Sequence, residues 1–338
     1  MHAVFRADGS AIIGGGHLRR CLTLADALSE RGWTCSFVTA GESLLVMPDL
    51  WRSDHALVQI DNADRLGLEA LGALEPIDLL IVDHYGLNLA FETAGRALAR
   101  CVMVLDDIPG RMHDCDILLD QTLGRCAQEY DGLMRASDTL LLLGASYALL
   151  RPDFKRYRPQ ALKRNRAGLE RVLVSFGATD PWGLNAPAAR AACAAGITQV
   201  DIAVGRQCPH IDELRMVADE FAQVTLHVEG NMACLMAVAD LGIGAAGSTS
   251  WERCCLGLPT VLIVAVDNQK LAAHALEENG AVVVISVEDV SPQVQFLSAL
   301  RELQNDLGRL SAMSAAARII CDGQGSARVV DVIERYFV

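Results

Sequence analysis

Short apolar runs rich in β-forming residues alternate with stretches of helical spacing along almost the whole chain, and they do so in two separate series. In the first series the strand candidates are His2 to Phe5, Thr34 to Val38, Ala56 to Ile60, Leu79 to Val82, Val102 to Leu105 and Ile117 to Leu119. Helical patterns fall at Leu18 to Arg31, Asp64 to Leu74 and Leu89 to Ala99. Such alternation predicts a parallel, doubly wound sheet with helices on both faces. The segment KRYRPQALKRNR, Lys155 to Arg166, interrupts the pattern with a proline and a cluster of basic residues. A linker over 155–169 is expected there, separating a domain at 1–154 from one at 170–338. The second series opens with RVLVSFG from Arg171. It continues with strands near Val200 to Val204, Val224 to Val228, Leu241 to Ile243, Thr260 to Val264 and Val282 to Ile285, and closes with helices at Val294 to Asn305 and Asp306 to Ile320. The expected architecture is α/β: two Rossmann-like domains facing across a cleft.

Composition excludes several classes of function. With 338 residues, 51% of them hydrophobic, the chain has material for two cores and none of the character of extended disorder. A formal net charge of -13 opposes a nucleic-acid partner while leaving room for a local pocket for one diphosphate. No segment reaches the roughly 18 uninterrupted apolar residues of a membrane span, and no signal core follows the N-terminus, so a cytoplasmic protein is expected. The 11 cysteines are scattered without a CxxC pair and read as reduced core residues. The 8 histidines lack metal-ligand spacing, so neither a metal nor another cofactor is expected.

Chemistry concentrates first in RADGSAIIGGGHLRR, Arg6 to Arg20. A strand, a glycine turn and a helix are implied, with Leu18, Cys21, Leu22, Ala25 and Leu28 on one helical face. Gly14, Gly15 and Gly16 allow close backbone approach to a ligand, and the helix start behind them offers unpaired N–H groups to a phosphate or an oxyanion. A histidine at that end is biased toward its neutral form by the helix dipole and suits a general base, which makes His17 the catalytic candidate. The same turn also occurs where a histidine merely caps the helix or binds phosphate.

The second constellation is LGIGAAGSTSWERCCLGLP, Leu241 to Pro259, followed by IVAVDNQ. Gly244 to Gly247 leave room for a ligand, Ser248 and Thr249 supply hydroxyls at a helix start, and Glu252, one turn on, can accept hydrogen bonds from a ribose. Asn268 and Gln269 follow a strand and are expected at the same cleft, as is the turn at Gly177. Each residue also has a plain structural reading: Glu252 as an exposed helix charge, Asn268 as a cap. The pair of phosphate-friendly turns fits a nucleotide-sugar enzyme better than a dinucleotide oxidoreductase, because no clean GxGxxG is present.

These motifs resemble the UDP-sugar hydrolase family of pseudaminic acid biosynthesis, itself related to two-domain glycosyltransferases of the GT-B type. The resemblance rests on Arg6, Asp8, Ser10, Gly14, Gly16, His17 and Arg20, on DHY at Asp83 to Tyr85, and on Asp106 and Asp107. It continues through Gly144, Tyr147, Leu150, Arg151 and Phe154, through SFG at Ser175 to Gly177 with Asp180 and Pro181, and through GSTSWER with NQ. It implies hydrolysis of UDP-2,4-diacetamido-2,4,6-trideoxy-β-L-altropyranose to the free sugar and UDP, by inverting attack of water at the anomeric carbon, with His17 as base and without a metal. Asp8, Gly14, Gly16, Arg20, Tyr85 and Arg151 are then expected around the sugar, and Gly177, Gly247, Ser248, Thr249, Glu252, Asn268 and Gln269 around UDP.

The chain departs from the family pattern at Ala178, Thr179, Gly183, Asp120 and Asp153, which bears on sugar identity more than on reaction type. A glycosyltransferase of the same fold, a hydrolase of a related nucleotide sugar, and a nucleotide-sugar sensor are the competing readings. A transferase with a lipid-linked acceptor would call for an exposed apolar and basic patch, for which Trp33, Met47 and Trp51 are sparse material. The expected partner is a nucleotide sugar, and a monomer suffices to bind it.

Overall fold

The computed structural model describes residues 1–10, 14–60, 67–164, 168–265, 269–285 and 291–338. The chain forms two compact units, Met1–Leu150 with Gln324–Val338, and Arg151–Gly323.

The first unit runs β1 (His2–Ala7), α1 (Gly16–Ser29), β2 (Thr34–Ala40), α2 (Ser43–Val46), β3 (Ala56–Ile60), α3 (Leu68–Gly72), β4 (Ile77–Asp83), α4 (Leu89–Gly95), β5 (Ala99–Leu105), β6 (Ile117–Asp120) and β7 (Leu140–Leu143). Its 7 strands are ordered β3-β2-β1-β4-β5-β6-β7, every pair parallel. Successive side chains of a strand point to opposite faces, so a sheet covered on both sides needs continuous apolar strands. On one face Phe5, Phe37, Ile81 and Met103 meet Leu18, Leu24 and Leu28 of α1; on the other Val4, Val38, Leu80, Val102 and Val104 meet Phe91 and Tyr130. Register aligns Phe5 with Phe37 on β2 and with Ile81 on β4, and the two phenyl rings stack at 4.8 Å.

The second unit runs α5 (Pro152–Leu162), β8 (Arg171–Ser175), α6 (Asn185–Ala194), β9 (Gln199–Val204), α7 (Ile211–Glu220), β10 (Val224–Val228), α8 (Met232–Val238), β11 (Leu241–Ala245), α9 (Thr249–Cys255), β12 (Thr260–Ile263), α10 (Lys270–Glu278), β13 (Val282–Ile285), α11 (Pro292–Asn305) and α12 (Leu307–Ile320). Its 6 strands are ordered β10-β9-β8-β11-β12-β13 and are again parallel. The alanines of α6, with Ala188, Ala189 and Ala192 buried, bring this helix close to Phe296, Leu300 and Leu303 of α11 over the sheet. The expected α/β class with two parallel, doubly wound sheets is therefore the observed one.

Three expectations need correction. The basic segment read as a linker is largely helix: α5 tolerates Pro159 and buries Phe154 and Ala161. Its Arg158 donates to the carbonyl oxygens of Cys255, of Cys321 at 3.0 Å and of Arg318 at 2.8 Å, so the cation meets carbonyls at the C-terminal ends of both α9 and α12. The domain expected over 170–338 does not hold its last helix, α13 (Gly325–Tyr336), which belongs to the first unit. Val329, Val330 and Ile333 enter the core beside α1, and Arg31 donates to Asp331 at 2.9 Å and to Glu334 at 2.7 Å. Finally, β7 is a strand where none was expected.

Candidate active site

His17 is the second residue of α1, whose N-terminus faces the ends of β1 and β4, the point at which strand order in the first sheet reverses. His17 and Arg20 share a helical face by their spacing of three. Between them stands Asp83, the last residue of β4, fully buried. One carboxylate oxygen accepts from His17 Nδ1 at 2.5 Å and from Arg20 Nη2 at 2.6 Å, and the other accepts from Arg20 Nε at 2.6 Å. Burial works against ionisation of Asp83, but the Arg20 guanidinium and His17 hold its pKa far below the usual carboxylate range. Arg20 is likewise buried, which disfavours its charge, and Asp83 more than restores it. With Nδ1 donating to a carboxylate, the free lone pair of the ring is on Nε2, and among the described residues Nε2 makes no hydrogen bond.

Two further groups from strand ends close around the imidazole. Asp107, after β5, accepts from Arg20 Nη1 at 3.2 Å and from the Tyr85 hydroxyl at 2.7 Å. The Tyr85 ring stands edge-on to His17, with centroids 4.7 Å apart and planes at 89°. Burial and the adjacent Asp107 push the Tyr85 phenol well above its ordinary pKa, so it stays a hydrogen-bond donor. The sequence signal for Asp83 and Asp107 is their place as acidic residues at the carboxyl ends of β4 and β5.

Asp8, Gly14 and Gly16 lie on the same side of this unit but do different work. The Asp8 carboxylate accepts from Arg6 at 2.7 and 2.9 Å, from the Ala40 amide at 2.8 Å and from Thr39 at 3.2 Å, with His84 3.2 Å away. That set of partners makes it a brace for the loop after β1. Gly14 has φ +73 and donates its amide to the Ser10 carbonyl at 2.8 Å; residues 11–13 lie outside the described residues. Gly16 opens α1, and among the described residues nothing beyond its chain neighbours and its own helix lies within 4 Å of the position a Cβ would take.

Behind Asp107 lies a buried relay that sequence reasoning did not single out. His113 is fully buried, its Nδ1 2.9 Å from Glu92 and its Nε2 2.8 Å from Asp106. Burial opposes its charge, but the two flanking carboxylates raise its pKa to about 9. Asp106 also accepts from Arg111 at 2.8 Å, and Arg111 donates to the carbonyls of Tyr85 and Leu87 at 2.9 Å, fixing the loop that carries Tyr85. Asp120 is engaged inside this unit, by Arg125, by Tyr130 at 2.9 Å and by the Thr122 amide at 2.8 Å.

In the second unit the expected nucleotide residues gather at strand ends. Gly177, φ +91, turns the chain after β8, and Gly183, φ +62, holds a left-handed position that glycine tolerates best. Asp180 caps α6, accepting from the amides of Leu184 and Asn185 at 2.9 and 3.0 Å. Gly247, with open space at its Cβ position, and Ser248 lead from β11 into Thr249 and Glu252 of α9. Gln269 accepts from the Ala265 amide at 3.1 Å and precedes α10; Asn268 lies outside the described residues. Arg151 belongs to this second unit, not to the one carrying His17, and its guanidinium lies 5.4 Å over the Phe154 ring. All 11 cysteines are free, most of them buried, and among the described residues no cluster of three or more His, Cys, Asp or Glu side chains could hold a metal ion.

Comparison with known proteins agrees with this architecture. Residues 185–335 match the glycosyltransferase family 28 C-terminal domain. The chain is 28% identical over 281 residues to the UDP-2,4-diacetamido-2,4,6-trideoxy-beta-L-altropyranose hydrolase of Campylobacter jejuni, covering 83% of this chain and 97% of that protein. It is 23% identical to the spore coat polysaccharide biosynthesis protein SpsG of Bacillus subtilis, over 99% of this chain and 98% of the other. Among solved structures, Acinetobacter baumannii MurG superposes with a TM-score of 0.68 at 18% identity, over 99% of both chains. LpCGTa in complex with UDP superposes with a TM-score of 0.67 at 14% identity, over 100% of this chain and 99% of the other. The chain is thus an α/β protein of two units with the GT-B fold, similar over residues 185–335 to the glycosyltransferase family 28 C-terminal domain and over 83% of its length to the UDP-2,4-diacetamido-2,4,6-trideoxy-beta-L-altropyranose hydrolase.

Proposed function

We propose that this protein is a nucleotide-sugar hydrolase that cleaves UDP-2,4-diacetamido-2,4,6-trideoxy-β-L-altropyranose to UDP and 2,4-diacetamido-2,4,6-trideoxy-L-altrose. The observation that carries the reading is the buried carboxylate of Asp83 against His17 Nδ1, which presents Nε2 as a proton acceptor. In this mechanism Nε2 takes a proton from water, the water oxygen bonds to the anomeric carbon, and the bond from that carbon to the β-phosphate oxygen breaks with inversion. UDP is a stable leaving group, so the protein's task is to position the water and compensate charge. Asp83 balances the imidazolium that forms, as in other carboxylate-oriented histidines. Gly177, Gly247, Ser248, Thr249 and Gln269 of the second unit would hold UDP, with Glu252 on the ribose; Asn268 belongs to the same assignment. Tyr85 and Arg20 would border the sugar.

The relatives support a UDP-sugar enzyme, and the name of the Campylobacter jejuni protein supports hydrolysis. The family 28 domain and the GT-B relatives favour a second reading, glycosyl transfer. Against a lipid-linked acceptor, Trp33 and Met47 are buried at 4% and 1% exposure, which leaves Trp51 alone of the three at the surface. No helix among the described residues is long and apolar enough to cross a membrane. The deciding experiment incubates the protein with the UDP-sugar and no acceptor in oxygen-18 water. Catalytic UDP release with the label on the sugar supports hydrolysis at carbon; release only on addition of an acceptor overturns it, and label on UDP overturns the attack at carbon.

A further inference from the structure

Arg253, in α9, is a buried cation whose hydrogen bonds go to a carbonyl and a hydroxyl. It is 3% exposed, and among the described residues it makes no ion pair with a carboxylate. Burial lowers its pKa to about 10, an effect that neighbouring Cys254 and Glu252 offset only in part. Burying a guanidinium in that condition is destabilising, and an apolar side chain of similar volume would remove the penalty.

The strand beneath is built to admit this side chain. Gly242 and Gly244 alternate on one face of β11; a Cβ on Gly242 would lie 3.2 Å from Arg253 Cδ, and a Cβ on Gly244 would lie 2.7 Å from Arg253 Nη1 and 2.4 Å from the Ser175 carbonyl oxygen. The guanidinium therefore lies along a glycine trough toward the carboxyl end of the sheet. There Nη2 donates to the Ala245 carbonyl at 2.7 Å and to Ser250 Oγ at 3.0 Å. Ser175 ends β8 and Ala245 ends β11, the neighbouring strands at which the order of the second sheet reverses. In open α/β sheets that reversal is where ligands enter. The charge is thus buried along the sheet, with Nη2 at the carboxyl end of β11 and at the start of α9.

Resting on the reading of this unit as the nucleotide-binding one, we infer that Arg253 is the built-in counter-charge for the nucleotide's diphosphate. It is a positioning residue: it holds the turn from Ala245 to Ser250 through two hydrogen bonds, and its charge acts on the phosphates across a low-dielectric interior where screening by salt is weak.

The test is calorimetric titration of UDP and UMP into wild type, Arg253→Met and Arg253→Lys, with melting curves of the unliganded proteins. Wild type should prefer UDP to UMP. Arg253→Met should weaken UDP about tenfold or more and narrow the UDP-to-UMP ratio, while melting no lower than wild type because a buried charge has gone. Arg253→Lys, which keeps the charge without the fork, should fall between the two, and it carries the test alone should Arg253→Met not fold. A ratio unchanged in both variants, or equal losses for UDP and UMP, overturns the inference and leaves the nucleotide reading intact. Wild type that binds neither nucleotide overturns that reading and this inference with it.

Discussion

His17 Nδ1 and a carboxylate oxygen of Asp83 lie 2.5 Å apart, where α1 begins and β4 ends, although 66 residues of chain separate them. The contact assigns the imidazole its tautomer and gives the positive charge that catalysis would place on it a buried anion to meet. Arg20 shares that anion, so one carboxylate organises both the imidazole and the guanidinium beside it.

Replacing His17 with Ala removes the proposed proton acceptor and leaves the second unit untouched. UDP release from the UDP-sugar should fall by roughly two to four orders of magnitude, with little change in UDP affinity by calorimetry. Unchanged turnover would remove His17 from the reaction.

The Asp83→Asn substitution is close to isosteric, yet it takes the anion from a buried arginine. Breaking a buried pair of this kind costs about 3–5 kcal/mol, and Asp107, 3.2 Å from Arg20, should keep the loss near the lower end. Chemical denaturation gives the number, and a loss below about 1 kcal/mol, the scale of an exposed pair, would contradict the assignment.

His113 makes stability depend on pH. Its folded pKa is raised from 6.5 to about 9 by Asp106 and Glu92, against the opposing effect of burial. A raised pKa means that the folded state binds the proton more tightly, so the stabilisation is complete below pH 6.5 and is lost as pH rises through about 9. Wild type should therefore unfold at progressively lower urea concentration across this interval, whereas His113→Gln should show a flatter profile. Parallel slopes for the two proteins would refute the charged form.

Gly325 starts α13 where a Cβ would lie 2.2 Å from the Ala148 carbonyl oxygen and 2.6 Å from its amide nitrogen. Both neighbours are backbone and cannot swing aside, so Gly325→Ala should destabilise the chain by about 1–3 kcal/mol. It should also loosen the last helix, seen as faster protease cleavage near the C-terminus. Wild-type cleavage rates would mean that the helix does not depend on this close approach.

Periodicity along the chain was enough to announce two parallel sheets, because continuous apolar strands and helical spacing are local properties of β1 to β6 and of the second series. Leu140–Leu143 shows the limit of that signal: four leucines alternate with nothing, and only pairing with β6 makes them a strand. The basic run at 155–166 looked like a break in the fold because charge and proline mark surfaces. Which carbonyls Arg158 would meet is a matter of helices far along the chain.

At the site the division is the same. His17, the glycine turn and the motifs at Asp83 to Tyr85 and Asp106 to Asp107 could be read in order, since each is a short string at the end of a strand. That Asp83 serves His17 and Arg20, that Asp8 is consumed by Arg6 and Ala40, that Arg151 falls in the other unit and that α13 returns to the first were decided only in three dimensions. Sequence spacing specifies which face of an element a side chain occupies; strand order and helix docking specify what stands opposite that face, and hydrogen bonds and ion pairs are made with what stands opposite.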